Sequence, residues 1–130
     1  MSLVVQNITS TASKLYGVKG FKKINAANTG SGAATLSLYY TGVARRNTSY
    51  DHSVAVTTVE RTYTFYIVKD LSIDAAKSTI ILEEGLDFRD MKYYDSDGVL
   101  YNLFDVQLNA STGAEGQTVD LIIELSYDYD

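Results

Sequence analysis

The sequence predicts an all-β protein, an antiparallel two-sheet β-sandwich or jelly roll of about seven to eight strands. The clearest observation is the last stretch, residues 119–129, in which an apolar side chain stands at every second position and only Ile122 breaks the alternation. This period of two describes an extended strand with one face on a core and the other towards water. A second observation is the composition, because eleven tyrosines, four phenylalanines and many Val, Ile and Thr residues favour strands. A third is the regular spacing of short apolar runs between polar turns.

Length and composition favour one domain that needs no disulfide or metal to fold. A chain of 130 residues lies within the usual size of a single domain and can bury a core. It contains no cysteine, which excludes a disulfide framework and thiolate chemistry. The sequence shows neither a basic region followed by an apolar stretch, the pattern of a signal peptide, nor a run of about 18 apolar residues, so we expect synthesis in the cytoplasm and no membrane contact. Residues 1–13 are predicted as an N-terminal arm, and residues 14–130 as a single β-sandwich domain.

Charge is distributed unevenly along the chain. Residues 1–61 contain seven Lys/Arg against two Asp/Glu, a balance of +5, whereas residues 62–130 contain four against fourteen, a balance of −10. Strands from both halves interleave in a sandwich, so this asymmetry describes either solvated charge of both signs or complementary patches for head-to-tail or ring contacts. The acidic total argues against nucleic-acid binding.

The first part of the chain contains two predicted strands. The N-terminal arm is either an edge strand or frayed tail of a monomer, or a segment that lies across a neighbouring subunit. Residues 14–25 are predicted as the first core strand, bent where its two glycines interrupt the pattern. Residues 25–33 form a loop, and residues 35–40 alternate cleanly as a second strand. We expect these two strands to pair as an antiparallel hairpin.

Residues 41–60 are predicted as an inserted loop that contacts a partner, because long loops on rigid scaffolds often carry function. The segment contains Arg45, Arg46 and Tyr50. Its histidine, His52, has no acidic or cysteine residues at ligand spacing. A metal-binding or acid–base role is therefore not expected for it.

The second part of the chain contains a long strand and a further hairpin. Residues 61–73 are predicted as the long strand, and residues 79–82 as its return strand after a short turn. Within residues 86–105, Asp97 and Gly98 mark a tight hairpin turn. The acidic run before Gly98 does not form a calcium loop, because aromatic residues stand at two of the ligand positions. A loop over residues 110–117 leads to the last strand.

Catalytic constellations are absent from the sequence pattern. A nucleophile–base triad would require Ser or Thr with His52, and no Gly-x-Ser-x-Gly elbow is present. Glu83 and Glu84 are adjacent, so on a strand they point apart and do not form a glycosidase pair. We therefore expect no enzyme activity, no cofactor and no metal site.

Five short segments between residues 15 and 129 share a pattern with known proteins, and they are residues 17–21, 34–40, 66–75, 78–82 and 120–127. Together they resemble small structural proteins of tailed bacteriophages. The resemblance implies a non-enzymatic β-sandwich of the virion, placed on the capsid surface as a decoration protein, at the neck or on the tail. It also implies partners among the capsid, neck or tail proteins.

A structural subunit of this kind would self-associate as a homo-oligomer and contact neighbours through exposed apolar, aromatic and arginine side chains. The candidate interface residues are Leu3, Val4, Val5, Arg45, Arg46, Tyr50, Tyr93, Tyr94, Tyr127 and Tyr129. An alternative function is a carbohydrate-binding or host-adhesion β-sandwich module. In that case Tyr93, Tyr94 and Tyr101 would stack on sugar rings.

Overall fold

The computed structural model describes residues 3–9, 13–15, 18–47, 58–89 and 91–126. This part of the chain contains ten strands and no helix, and so no helix there is long and apolar enough to cross a membrane. The strands are β1 (Leu3–Ile8), β2 (Ser13–Leu15), β3 (Gly20–Asn28), β4 (Ala34–Asn47), β5 (Thr58–Ile73), β6 (Ser78–Leu82), β7 (Leu86–Asp87), β8 (Lys92–Tyr94), β9 (Leu100–Thr112) and β10 (Val119–Leu125). The count exceeds the predicted seven to eight in part because β2 and β7 have three residues or fewer, too few to show a hydrophobic period.

The ten strands form two packed antiparallel sheets, which confirms the predicted β-sandwich. The first sheet has the order β1-β10-β3-β6, and β7 also pairs with β3. The second sheet has the order β2-β9-β4-β5, and β8 pairs with β9 beside β2. Within the predicted arm, residues 3–8 form β1, which is an outermost strand of the first sheet.

The alternation predicted for residues 119–129 is confirmed over β10. Val119, Leu121, Ile123 and Leu125 are all buried, whereas the residues between them are half-buried on the opposite face. β10 lies between β1 and β3, so its inward side chains occupy the centre of the first sheet. From the second sheet, Leu36, Leu38, Leu108 and Ala110 belong to the same core cluster.

The hairpin predicted from residues 14–25 and 35–40 is wrong. The first of these segments is divided between β2 in the second sheet and β3 in the first sheet. β3 pairs with β10, β6 and β7, whereas β4 pairs with β5 and β9, so the β3–β4 connection crosses from one sheet to the other. An amphipathic strand buries its apolar face equally well in either sheet, and the alternation alone therefore does not choose between pairing and crossing.

The predicted return strand after β5 also belongs to the other sheet. β6 pairs with β3 in the first sheet, whereas β5 is the outermost strand of the second. The turn between them includes Ala76 with a positive φ of 57° and a hydrogen bond from Lys77 N to Asp74 O. This turn therefore carries the chain across the edge of the sandwich instead of back along β5.

The described part of the loop predicted for residues 41–60 is strand. β4 continues to Asn47 and β5 begins at Thr58, with pairs from Thr41 opposite Thr64 to Asn47 opposite Thr58. The polar composition of the segment conceals a period of two, in which Gly42 and Ala44 are buried between half-buried neighbours. Residues 48–57, which include Tyr50 and His52, lie outside the described residues.

Candidate interaction surfaces

One end of the second sheet carries a hydrophobic cluster that is separate from the main core. Ala44, Tyr101 and Leu103 are buried there, and the half-buried side chains packed against them are Tyr63, Phe65, Met91, Tyr93, Val99 and Val106. The cluster contains no residue of the first sheet's strands. This end of the sheet therefore has an inner face with its own apolar cluster and an outer face directed to solvent.

On the outer face of this end, residues that pair directly across four neighbouring strands form one row, which we call a register row. The row runs across β5, β4, β9 and β8, and its residues are Glu60, Arg45, Asn102 and Lys92. Arg45 Nε lies 2.8 Å from Glu60 Oε1, and Arg45 Nη2 lies 3.9 Å from Asp105 Oδ2. The Arg45 guanidinium carbon also lies 4.8 Å from the centre of the Phe104 ring. These contacts orient Arg45 while 40% of its side chain stays exposed.

Exposed apolar side chains surround Arg45 on the same face. Tyr94 is 65% exposed, Phe104 41% and Leu100 39%, and Tyr94 pairs directly opposite Leu100. We call this surface the arginine–aromatic face, and its residues are Arg45, Lys92, Tyr94, Leu100, Asn102 and Phe104. Tyr, Phe and Arg are the residue types enriched at protein interfaces. The structure thus brings two of the predicted interface residues, Arg45 and Tyr94, onto one surface.

Tyr93 points to the opposite face and packs with other aromatic rings. Its ring centre lies 4.5 Å from that of Tyr63, 5.6 Å from Phe65 and 6.3 Å from Tyr101. Desolvation raises the pKa of Tyr93, and Tyr63 contributes further to the rise. A side-chain hydrogen bond with Tyr63 raises the pKa of Arg61. The Tyr93 ring is therefore part of an aromatic cluster on the inner face, and its role at an interface stays a prediction.

The three tyrosines of the carbohydrate-binding alternative do not share a surface. Tyr101 is 7% exposed and Tyr93 faces the same inner cluster, whereas Tyr94 points to the outer face. The hairpin that holds them is confirmed, since Tyr93 pairs with Tyr101 and Gly98 has a φ of 79°. Its turn is closed by Asp95 Oδ1, which accepts backbone hydrogen bonds from Asp97 and Val99, both at 2.9 Å.

The outer face of the first sheet carries a second exposed surface. Leu3 is 61% and Val5 63% exposed on β1, whereas Val4 points inward and packs against the core. A register row across this sheet joins an exposed side chain at each edge, and its residues are Val5, Ile122, Asn25 and Ile80. We call it the apolar row. The break in alternation at Ile122 therefore has a structural reason, since this side chain lies beside the exposed Val5 on the outer face of the sheet.

The remaining predicted interface residues give less information. Arg46 lies on β4 opposite Val59, and Tyr50, Tyr127 and Tyr129 lie outside the described residues. Four exposed large hydrophobic residues in the described part of the chain were not among the predictions, namely Tyr66, Ile80, Leu100 and Phe104. Leu100 and Phe104 alternate with the buried Tyr101 and Leu103, and this pattern could have revealed them.

The described residues do not bring three His, Cys, Asp or Glu side chains together in a group that could hold a metal ion. No family model matches the sequence, and no curated protein matches it. A chain in the structure of infectious bursal disease virus, Gt strain, is similar over 98% of this chain and 33% of that chain, with 11% identity and a TM-score of 0.23. This chain thus spans about a third of the length of that viral chain.

Proposed function

We propose that this chain is a non-enzymatic structural subunit of a virus particle, of the tailed-bacteriophage type that its sequence resembles. The observation that supports this proposal best is the arginine–aromatic face. It combines an oriented, half-exposed arginine with exposed tyrosine, phenylalanine and leucine side chains on a rigid sheet. Side chains that are already ordered lose little entropy when a partner covers them, and this favours a permanent contact.

The two exposed surfaces belong to different sheets and face in different directions. The arginine–aromatic face lies on the second sheet, and the apolar row lies on the first. A subunit with a contact surface on each outer face can join two neighbours at once. This geometry suits a component that links copies of itself to capsid, neck or tail proteins, and we assign it no nucleic-acid or membrane partner.

Two polar side chains in the described part, Asp95 and Asn28, have their hydrogen bonds directed at the backbone, and this is consistent with the proposed structural role. Asp95 closes a hairpin turn, and Asn28 donates its side-chain amide to the carbonyl oxygens of Gly32 and Ile73 at 2.9 Å. Groups whose hydrogen bonds are directed at backbone are committed to the fold. We place the mature location in the virion, after synthesis in the host cytoplasm.

The test is whether the chain is incorporated into virus particles. Gradient-purified particles from the producing host are analysed by quantitative mass spectrometry, with the native gene or with the double substitution Tyr94→Ser and Phe104→Ser. We expect the native chain in stoichiometric amounts and a loss of at least about tenfold for the variant. Tyr39→Ser, a half-buried tyrosine outside the arginine–aromatic face, is the matched control. Particles that lack the native chain would overturn the proposal.

A further inference from the structure

β6 is an outermost strand of the first sheet, and two residues of opposite charge flank it symmetrically. In the described part of the chain it pairs on one side only, with β3, so its other edge has unpaired backbone groups. Lys77 stands three positions before Ile80 and Glu83 three positions after it, and the residues between them carry no charge. Both charged residues are exposed, and Ile80 is 50% exposed between them.

We propose that two copies of this chain join by antiparallel pairing of their β6 strands around a two-fold axis at Ile80. In an antiparallel pair centred on Ile80, Lys77 of each copy lies opposite Glu83 of the other. The edge is therefore complementary to itself, as a two-fold contact requires. Two reciprocal ion pairs and a central Ile80–Ile80 contact would select this register.

The other edge of the first sheet lacks this property. β1 contains no charged residue, so no ion pair there would distinguish one register or one direction of pairing from another. Pairing of β1 with the β1 of a second copy would bury Val5, but no charged residue of β1 would fix the register of that pairing. Opposite charges at equal distances from the centre flank β6, and this favours a second copy as its partner.

The paired edge is short, and its specificity is therefore sensitive to charge. β6 itself has five residues and a register shift opposite Ile24 and Asn25. Such a short, irregular edge supplies few hydrogen bonds, and the ion pairs should therefore contribute a large share of the specificity.

The experiment uses purified full-length chain in sedimentation velocity, from low micromolar to a few hundred micromolar protein, at low and high salt. We expect a monomer–dimer equilibrium that weakens with salt. Lys77→Glu and Glu83→Lys should each weaken dimerisation at least about tenfold, because each creates two like-charge contacts. The double variant with both substitutions should restore dimerisation to within about threefold of native, since the two charges exchange places. Val5→Lys on β1 is the control and should leave the dimer intact.

A native chain that stays monomeric throughout this range would overturn the inference. A double variant that fails to recover, while its circular dichroism spectrum and melting curve match those of native protein, would also overturn it. Loss of the dimer in Val5→Lys would assign the contact to the other edge. As a contact inside a virus particle, the dimer rests on the proposed function. The two hypotheses can nevertheless fail separately, because a chain that dimerises but is absent from particles contradicts only the virion role.

Discussion

Tyr63 on β5 and Tyr93 on β8 have ring centres 4.5 Å apart, although β4 and β9 separate their strands in the second sheet. Flat sheet geometry would place the two backbones about 14 Å apart. Between them lie Gly42, directly opposite Tyr63, and Ala44, both buried. These small residues of β4 leave room for the two rings to meet above the sheet. This contact closes the inner face of the sheet that carries the arginine–aromatic face on its other side.

Tyr93→Ala should therefore destabilise the protein, by about 2–3 kcal/mol, because it removes ring contacts with three neighbours. Tyr94→Ala, at the adjacent and exposed position, should change the free energy of unfolding by less than about 0.5 kcal/mol. Urea denaturation followed by circular dichroism measures both. Equal effects of the two substitutions would contradict the assignment of Tyr93 to the inner cluster.

Asn28 is a second position where one side chain holds distant segments. It is 3% exposed, donates to Gly32 O and Ile73 O, and its Oδ1 accepts from Gly30 N at 2.9 Å. Asn28→Ala should lower the free energy of unfolding by about 3 kcal/mol, because buried carbonyl groups lose their donor. The exposed Asn102→Ala is the control for thermal unfolding by calorimetry. A loss below about 1 kcal/mol would show that water replaces the amide.

Gly85 lies where β3 leaves no room for a side chain. A Cβ at this position would stand 2.7 Å from the backbone oxygen of Phe21, whereas one at Gly32 would meet nothing within 4 Å. Gly85→Ala should therefore lower the free energy of unfolding by about 1–3 kcal/mol, since the backbone at Phe21 or Gly85 must move to relieve the contact. Gly32→Ala should be neutral or stabilise by up to about 1 kcal/mol. Comparison of the two urea midpoints tests this close approach.

Adjacent isoleucines on β10 test the alternation directly. Ile123 is fully buried, whereas Ile122 is half-buried in the apolar row. Ile123→Val should cost about 1 kcal/mol of stability because it leaves a cavity. Ile122→Val should cost less than about 0.5 kcal/mol. Equilibrium unfolding of both variants is the measurement, and a larger effect at Ile122 would mean that the faces are reversed.

Tyr40 should make the protein less stable in alkaline solution. Burial raises its pKa above the ordinary value near 10, so the folded state holds the phenolic proton more tightly than the unfolded chain does. Its stabilising effect is complete below the unfolded pKa and is lost as pH rises through the raised pKa. Tyr40→Phe should flatten the fall in melting temperature above about pH 10. An unchanged alkaline slope in this variant would assign the effect to other tyrosines.

Local sequence patterns were sufficient to predict those strands whose signal lies within a few consecutive residues. The period of two over β10 predicted both the strand and its buried face, and Asp97-Gly98 predicted the hairpin between β8 and β9. The long strand β5 was also predicted, although the structure begins it at Thr58. Such features depend on side-chain direction and turn conformation, which neighbouring residues decide among themselves.

The sequence by itself therefore determined an all-β sandwich, its clearest core face and the residue types available for contacts. Only the tertiary structure decided which sheet each strand joins, as the crossings from β3 to β4 and from β5 to β6 illustrate. It likewise decided that Tyr93 faces the aromatic cluster, and it brought Tyr94 to the same face as Arg45. The physical reason is that an amphipathic strand specifies which side it buries but not which neighbour it pairs with, and pairing is settled by the packing of all strands together.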